Sequence, residues 1–485
     1  MQRPQSDASG DSVNSRALVS VPCMSSILRI ERARLATEMR ASARLATPLV
    51  LGQLSAIGMN AVDALLAGHF NAHTLAVVAV ATSVWSLAIV AAIGVMLSVP
   101  PSVAQLNGAG RRADIGPLFT QAIWLALALG LVIGSAIFFA GPMLPRFIGV
   151  DSKLTDDVGQ FLRVIAFGAP ALALFAALRG LSEGLGLGRP TMYFALLGPV
   201  LLAPLGYVLM YGRFGVESMG AQGAAIATAV VLWIQVAAFA TYVIRNRRFR
   251  DLHLLQSWAK PDPRTLAELL KIGLPMGITL LMEGGLFVAV ALIIGRLGTD
   301  IVASHQVALN VASIAFMVPL GLALATTVRV GNAVGRNDVV GVRHAAMAGF
   351  ALTLGTQILS AGVMAILPHP IASLYTSDVA VVSLAAQLLL LAAIFQLSDG
   401  IQVVANGALR GLKDTRVPMV ITLIAYWVFG MPVGWWLTFH HGMGARGMWI
   451  GLIAGLSAAA VLLTTRFWRM SSRMATTIEM QASRP

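Results

Sequence analysis

Ala177-Leu178-Arg179-Gly180-Leu181 closes one apolar stretch of this sequence, and Ala408-Leu409-Arg410-Gly411-Leu412 closes another, each shortly before a Pro-containing helix start at Pro190-Thr191-Met192 or Pro418-Met419. A displacement of about 225 to 231 residues also relates Met219-Gly220-Ala221-Gln222-Gly223 to Met443-Gly444-Ala445-Arg446-Gly447, and Asn107-Gly108-Ala109-Gly110-Arg111 to Asn332-Ala333-Val334-Gly335-Arg336. Gly- and Ala-rich apolar sequences match one another easily, so no single pair decides anything. Three pairs at nearly one displacement, in equivalent places between apolar stretches, predict a chain built twice from one unit.

That unit is a membrane one. Of the 485 residues 57% are apolar and 11% charged, too little polar surface to cover a soluble domain of this size. Apolar stretches long enough to cross about 30 Å of hydrocarbon as a helix begin near Leu45, Thr74, Leu118, Val158, Pro190 and Ala221, then near Thr265, Val302, Val342, Ala380, Val417 and Arg446. The expected fold is an all-α polytopic membrane protein with twelve transmembrane helices. Six spans per unit is an even number, so both halves enter the bilayer from the same side. They form two six-helix bundles related by a pseudo-twofold axis along the membrane normal. The expected boundaries are a tail at 1–40 that lies on the surface from Ile27, a bundle at 41–244, a polar linker at 245–264, a second bundle at 265–468 and a tail at 469–485.

The net charge of +13 does not point to nucleic acid, because the basic residues are scattered between apolar spans without a continuous basic face. Their distribution points to orientation instead. With both termini cytoplasmic, 28 of the 34 lysines and arginines fall on the cytoplasmic side, as the positive-inside rule requires. Cys23 is the only cysteine, which excludes an intramolecular disulfide and a thiolate metal cluster. There is no phosphate-binding loop of the ATPase type, and His440-His441 are sequence neighbours that do not share a helix face. An enzyme is not expected, and no cofactor is implied.

Three acids fall deep inside the assigned spans: Asp63 in the first, Glu283 in the seventh and Asp399 in the tenth. An ionised acid at mid-bilayer costs at least about 2.5–3.5 kcal/mol, so each is expected to face a cavity, to pair, or to take a proton. No Lys or Arg is read at the same depth, which makes a proton or a metal cation the missing charge. The alternative role is a packing hydrogen bond to a neighbouring helix. Asn60, Gln53, Gln306, Asn310, Gln402 and Asn406 lie near these acids, and for each an interhelical hydrogen bond is the commoner use. His305 is expected to be a satisfied interfacial histidine. Phe287 and Phe395, with Met282, Phe316 and Met317, suit an adaptable apolar pocket, although core packing is the commoner role of any one of them. Aligning Pro48 with Pro275 sets Asp63 opposite Val290 and Glu283 opposite Ala56, so the halves carry their acids differently.

Four longer segments are similar to one known family. They are Gly58-Met59-Asn60-Ala61-Val62-Asp63 with Leu66-Ala67-Gly68, Val103 to Arg111, Ala303-Ser304-His305-Gln306-Val307-Ala308-Leu309-Asn310, and Gln402 to Gly411. From about Ala41 to Trp468 the chain resembles the multidrug and toxic compound extrusion (MATE) transporters, in their NorM-like branch. The resemblance implies a V-shaped central cavity and multidrug efflux by alternating access, with cationic and amphipathic small molecules exchanged for H⁺ or Na⁺. It also implies a bacterial inner-membrane location and function as a monomer. The family's acids on the first, seventh and tenth helices fall on Asp63, Glu283 and Asp399, with Na⁺ as a candidate ligand of the last two. Asn60, Thr228, Gln306, Asn310, Phe287, Phe395 and Gln402 become candidate cavity residues. Where relatives carry an aromatic hydroxyl four residues before the tenth-helix acid this chain has Phe395. Ala224 stands at the position of a cysteine found in some of them, and Leu202 and Gly206 replace polar fifth-helix residues. These departures favour protonation of a carboxylate over a full Na⁺ shell. A major-facilitator-type drug/H⁺ antiporter has no place for the four segments. A flippase of lipid-linked precursors would line its cavity with basic residues for pyrophosphate.

Overall fold

The computed structural model describes residues 24–144, 151–254, 256 and 258–482. Twelve of its helices are long and apolar enough to cross a membrane. In the first half these are α1 (Ala33–Phe70), α2 (Ala72–Gly108), α3 (Arg112–Met143), α4 (Leu154–Gly184), α5 (Gly188–Tyr211) and α6 (Gly220–Arg245). In the second they are α7 (Pro263–Gly295), α8 (Thr299–Gly335), α9 (Val339–Ile366), α10 (Val379–Gly411), α11 (Arg416–Phe439) and α12 (Ala445–Thr476). All twelve expected spans are present, and the described residues contain no strand.

The helices overrun the apolar stretches that reveal them. Hydropathy marks the hydrocarbon core, whereas the backbone ladder continues wherever headgroups or water can solvate the side chains. Helix continues upstream of α1 to Met24 without a break, so the segment from Ile27, expected to lie on the surface, joins the first span; residues 1–23 lie outside the described residues. Local chemistry sets other ends. Asp262 caps α7, accepting from the Thr265 amide at 3.1 Å and the Thr265 hydroxyl at 2.6 Å, and these bonds hold its carboxyl below the usual carboxylate range. Within α2 a turn at Leu97 and Ser98 precedes Pro100 and Pro101, which have no N–H to continue the ladder. Within α11 the segment Ile424–Gly430 is π-helical.

One core lies mainly in the first half, from Ala67, and reaches Leu269 of α7; a second lies in the second half, from Leu286 to Phe467; a third joins the halves, with Leu45, Leu49 and Ala104 against Leu322, Leu324 and Val403. In the first half α1 packs on α5, and α4 on α3 and α6; in the second α10 is central, against α8, α9 and α12. The halves meet chiefly through α1 on α8 and α2 on α7, pairs that the repeat exchanges, and through the end of α2 on α8. Small residues permit this approach. A Cβ added at Gly94 of α2 would lie 2.3 Å from the Gly277 Cα of α7, and one at Gly321 of α8 would lie 2.4 Å from Val50 Cγ2 of α1. Under the Pro48/Pro275 alignment Gly94 corresponds to Gly321 and Val50 to Gly277, so these are one contact made twice. Asn107 Nδ2 donates to Asn332 Oδ1 at 3.0 Å, and because the two asparagines are repeat counterparts, their contact marks the pseudo-twofold axis. Nearby, Gln105 Nε2 donates to the Gly411 carbonyl at 2.9 Å, and Arg329 pairs with Glu38. These polar ties join the halves at the end where α2, α8 and α10 finish.

Candidate functional site

The repeat folds into two halves that leave space between them, and two of the three acids line it. Glu283 and Phe287 on α7, Leu309 and Phe316 on α8, and Phe395 and Asp399 on α10 line a cavity of about 340 Å³ that Val90 of α2 closes from the other half. Glu283 and Phe287, like Phe395 and Asp399, are one helical turn apart, which puts an acid and a phenyl ring on the same face of each helix. Asp399 is 3% exposed and Glu283 partly buried, and the two lie within electrostatic range of each other. The Phe395 ring makes edge contacts with Phe287 at 6.2 Å and Trp449 at 5.6 Å between centroids. A charged group flanked by aromatic faces is the chemistry that holds an amphipathic cation.

Asp63 stands apart in the first half. It is 6% exposed; Thr228 Oγ1 of α6 donates to its Oδ2 at 3.3 Å, and its Oδ1 is buried without a partner among the described residues. Leu202 packs with Ala227 and Val231 beside it, next to Val62, and Gly206 faces Leu66, so α5 offers Asp63 apolar neighbours. Asn60, Gln306 and Asn310 are exposed and form no part of this cavity. Gln402 is fully buried on α10, with neither end of its amide partnered among the described residues. His305 is buried, with Nδ1 accepting from Trp449 Nε1 at 3.2 Å, but its Nε2 is buried without a partner among the described residues, so it is not the satisfied histidine expected.

A second cavity, of about 320 Å³, shares the wall residue Leu280 with the first. Its lining differs from the sequence expectation. Arg179 and Glu183 of α4 face it as an ion pair at 2.5 Å, Glu183 fully buried, and Arg410 of α10 reaches in from the other half. Arg410 is within electrostatic range of Glu283 and its buried Nη1 has no hydrogen-bond partner among the described residues. The reading that no basic residue sits near the acids is therefore corrected. Hydropathy placed Arg179 and Arg410 in loops because it ended α4 and α10 too early. The signal lay in the repeated Ala-Leu-Arg-Gly-Leu, which carries the same arginine at the inner end of both halves. The copies then diverge: Arg179 holds Glu183 four residues on, whereas Asp414, four residues after Arg410, is taken by Arg466 at 2.9 Å.

Tyr426 was also missed. It is 1% exposed in the π-helical turn of α11, its hydroxyl is unpartnered among the described residues, and it lies within electrostatic range of both Glu283 and Asp399. Its neighbour Trp427 ties the turn to α7 by donating from Nε1 to the Met282 carbonyl at 3.2 Å. No pattern in the sequence marks the π turn.

Twelve helices in two like halves, with acids facing a cavity where the halves meet, define a polytopic membrane transporter rather than an enzyme. The MatE family model matches the chain twice, over residues 48–208 and 275–436, one match per half, beginning at the two prolines that align the repeat. The chain belongs to the MATE family and is NorM-like within it. It is 49% identical to the "Probable multidrug resistance protein NorM" of Xanthomonas campestris pv. campestris, over 91% of this chain and 96% of that one. It is 39% identical to the "Multidrug resistance protein PmpM" of Pseudomonas aeruginosa, over 91% and 93%. The fold matches that of a multidrug resistance MATE transporter solved in an outward-facing conformation, with a TM-score of 0.84, 20% identity and coverage of 90% of this chain and 97% of that one.

Proposed function

We propose that this chain is a multidrug efflux secondary transporter that exports cationic and amphipathic small molecules in exchange for H⁺, working as a monomer by alternating access in a bacterial inner membrane with both termini cytoplasmic. Family membership and the multidrug-resistance names of the relatives support the efflux activity. The observation that carries the mechanism is the placement of Glu283 and Asp399 together in an aromatic-walled cavity where the two halves meet. A cation entering such a cavity competes with a proton for the same carboxylates, which is the coupling an antiporter needs. A proton needs one carboxylate oxygen. Na⁺ needs several oxygens in its shell; Phe395 supplies none, and Tyr426 adds a single hydroxyl to those of the two acids. Alternating access is supported by the polar ties between halves: Asn107 with Asn332 and Gln105 with Gly411 lie at one end, and that end is cytoplasmic when the termini are. The cavity then faces outward in this conformation.

The variants Asp399→Asn and Glu283→Gln test the mechanism. Each should reduce cation-driven dye efflux about 100-fold or more, the loss expected when a required proton carrier is removed, while the amount of protein in the membrane stays unchanged. Efflux at the unmodified rate in both would sink the assignment.

A further inference from the structure

The end of the bundle where α1 begins carries two adjoining cavities that take no part in the transport site. The first, of about 480 Å³, lies between α1 and the start of α5, and Arg40, Arg44, Arg189 and Arg248 line it with no acid among them. The second, of about 520 Å³, shares Leu187 and Arg248 with it and adds Arg112, Arg247 and Asp251. Asp251 is already committed, accepting from Arg112 Nε at 2.6 Å and Nη2 at 3.2 Å. Five arginines (40, 44, 189, 247 and 248) are thus gathered on one concavity without a carboxylate partner among the described residues.

Membrane orientation explains why basic residues lie on this side. It does not explain their convergence on one hollow, because like charges this close repel across less than a Debye length of about 8 Å. Other arginines at this end hold acids: Arg111 holds Asp114, Arg329 holds Glu38, and Arg466 holds Asp414. The floor of the hollow is electropositive as well. Gly186 turns the chain at φ +77°, α5 then starts at Gly188 without a side-chain cap, and Pro190 follows, so the free N–H groups of the first turn are those of the backbone around Gly188 and Arg189. A Cβ added at Gly188 would lie 3.0 Å from Pro48 Cγ and 3.1 Å from the Leu45 carbonyl, which keeps this backbone pressed against α1.

Guanidinium forks and helix N-termini both favour phosphate oxygens. The remaining wall is apolar, with Leu45, Pro48, Leu187 and Pro190 next to the arginines, which matches a headgroup continuing into glycerol and acyl carbons better than a soluble anion. We propose that this cavity binds a phosphate group presented by an anionic phospholipid of the surrounding bilayer, a kind of site that basic pockets between transmembrane helices provide. The inference does not depend on the transport mechanism.

The test is native mass spectrometry of the full-length protein in detergent with added cardiolipin, phosphatidylglycerol or phosphatidylethanolamine, and with inorganic pyrophosphate as the soluble arm. Both anionic lipids should be retained and phosphatidylethanolamine should not; Arg44→Gln with Arg189→Gln should weaken retention about tenfold or more, as for lost charge-assisted hydrogen bonds. Pyrophosphate bound with the same arginine dependence, and no lipid retained, would overturn the lipid as the source of the phosphate. Retention unchanged in the double variant, or equal for all three lipids, would overturn the site. Should the double variant not fold, hydrogen exchange on the unmodified protein decides: cardiolipin should slow exchange at residues 40–48 and 186–190, and unchanged exchange there would count against the proposal.

Discussion

Leaving a hydroxyl unpartnered in a protein interior costs about 1–3 kcal/mol, and the Tyr426 hydroxyl is buried without a partner in electrostatic range of Glu283 and Asp399. A group in that position stabilises the site only when the acids, or a cation bound to them, turn toward it. Tyr426→Phe is therefore expected to leave the thermal unfolding midpoint unchanged or slightly higher while reducing dye efflux about tenfold, the worth of one hydrogen bond to a charged group. A lower midpoint together with normal efflux would make the hydroxyl structural. Asp63 contrasts with the paired acids. With one oxygen held by Thr228 and apolar residues on α5 beside it, it sits within the first half, away from the Glu283 cavity.

At the scale of helices, close approach decides how the halves fit. The Gly94 and Gly277 contact joins α2 to α7, and an added methyl would overlap backbone rather than a side chain that can move aside. Gly94→Ala should lower the unfolding midpoint by the equivalent of about 1–3 kcal/mol, the usual cost of overpacking. Gly355→Ala in α9, where a Cβ would meet nothing within 4 Å, should raise it, because alanine loses less backbone entropy in a helix. Equal effects of the two changes would show that the helix contact contributes nothing. This scale also marks the limit of what the sequence discloses. The spans and the repeat are legible because hydrocarbon thickness and duplication leave long signals, and Asp63, Glu283 and Asp399 stand out because charge in hydrocarbon is costly. Arg179, Glu183 and Arg410 were lost because hydropathy falls before a helix ends. The π turn at Tyr426 and the exposure of Asn60, Gln306 and Asn310 depend on how helices rotate against their neighbours, which no local pattern encodes.

In the whole molecule, the duplication supplies two like halves that meet through the exchanged pairs α1 on α8 and α2 on α7 and through a shared core of Leu45, Leu49 and Ala104 against Leu322 and Val403. In the proposed alternating access, such halves rock about their interface. The contact of Asn107 with Asn332 joins repeat counterparts, and with Gln105 on Gly411 and Arg329 on Glu38 it ties the halves together at one end. In the proposed exchange a proton and a substrate are favoured in opposite arrangements of the two halves. The most direct measurement uses the purified protein in liposomes with a fluorescent cationic dye, imposing an H⁺ gradient and a Na⁺ gradient in separate experiments. Dye driven against its own gradient by H⁺ alone is the predicted result; dye movement that requires Na⁺ and ignores H⁺ would contradict it.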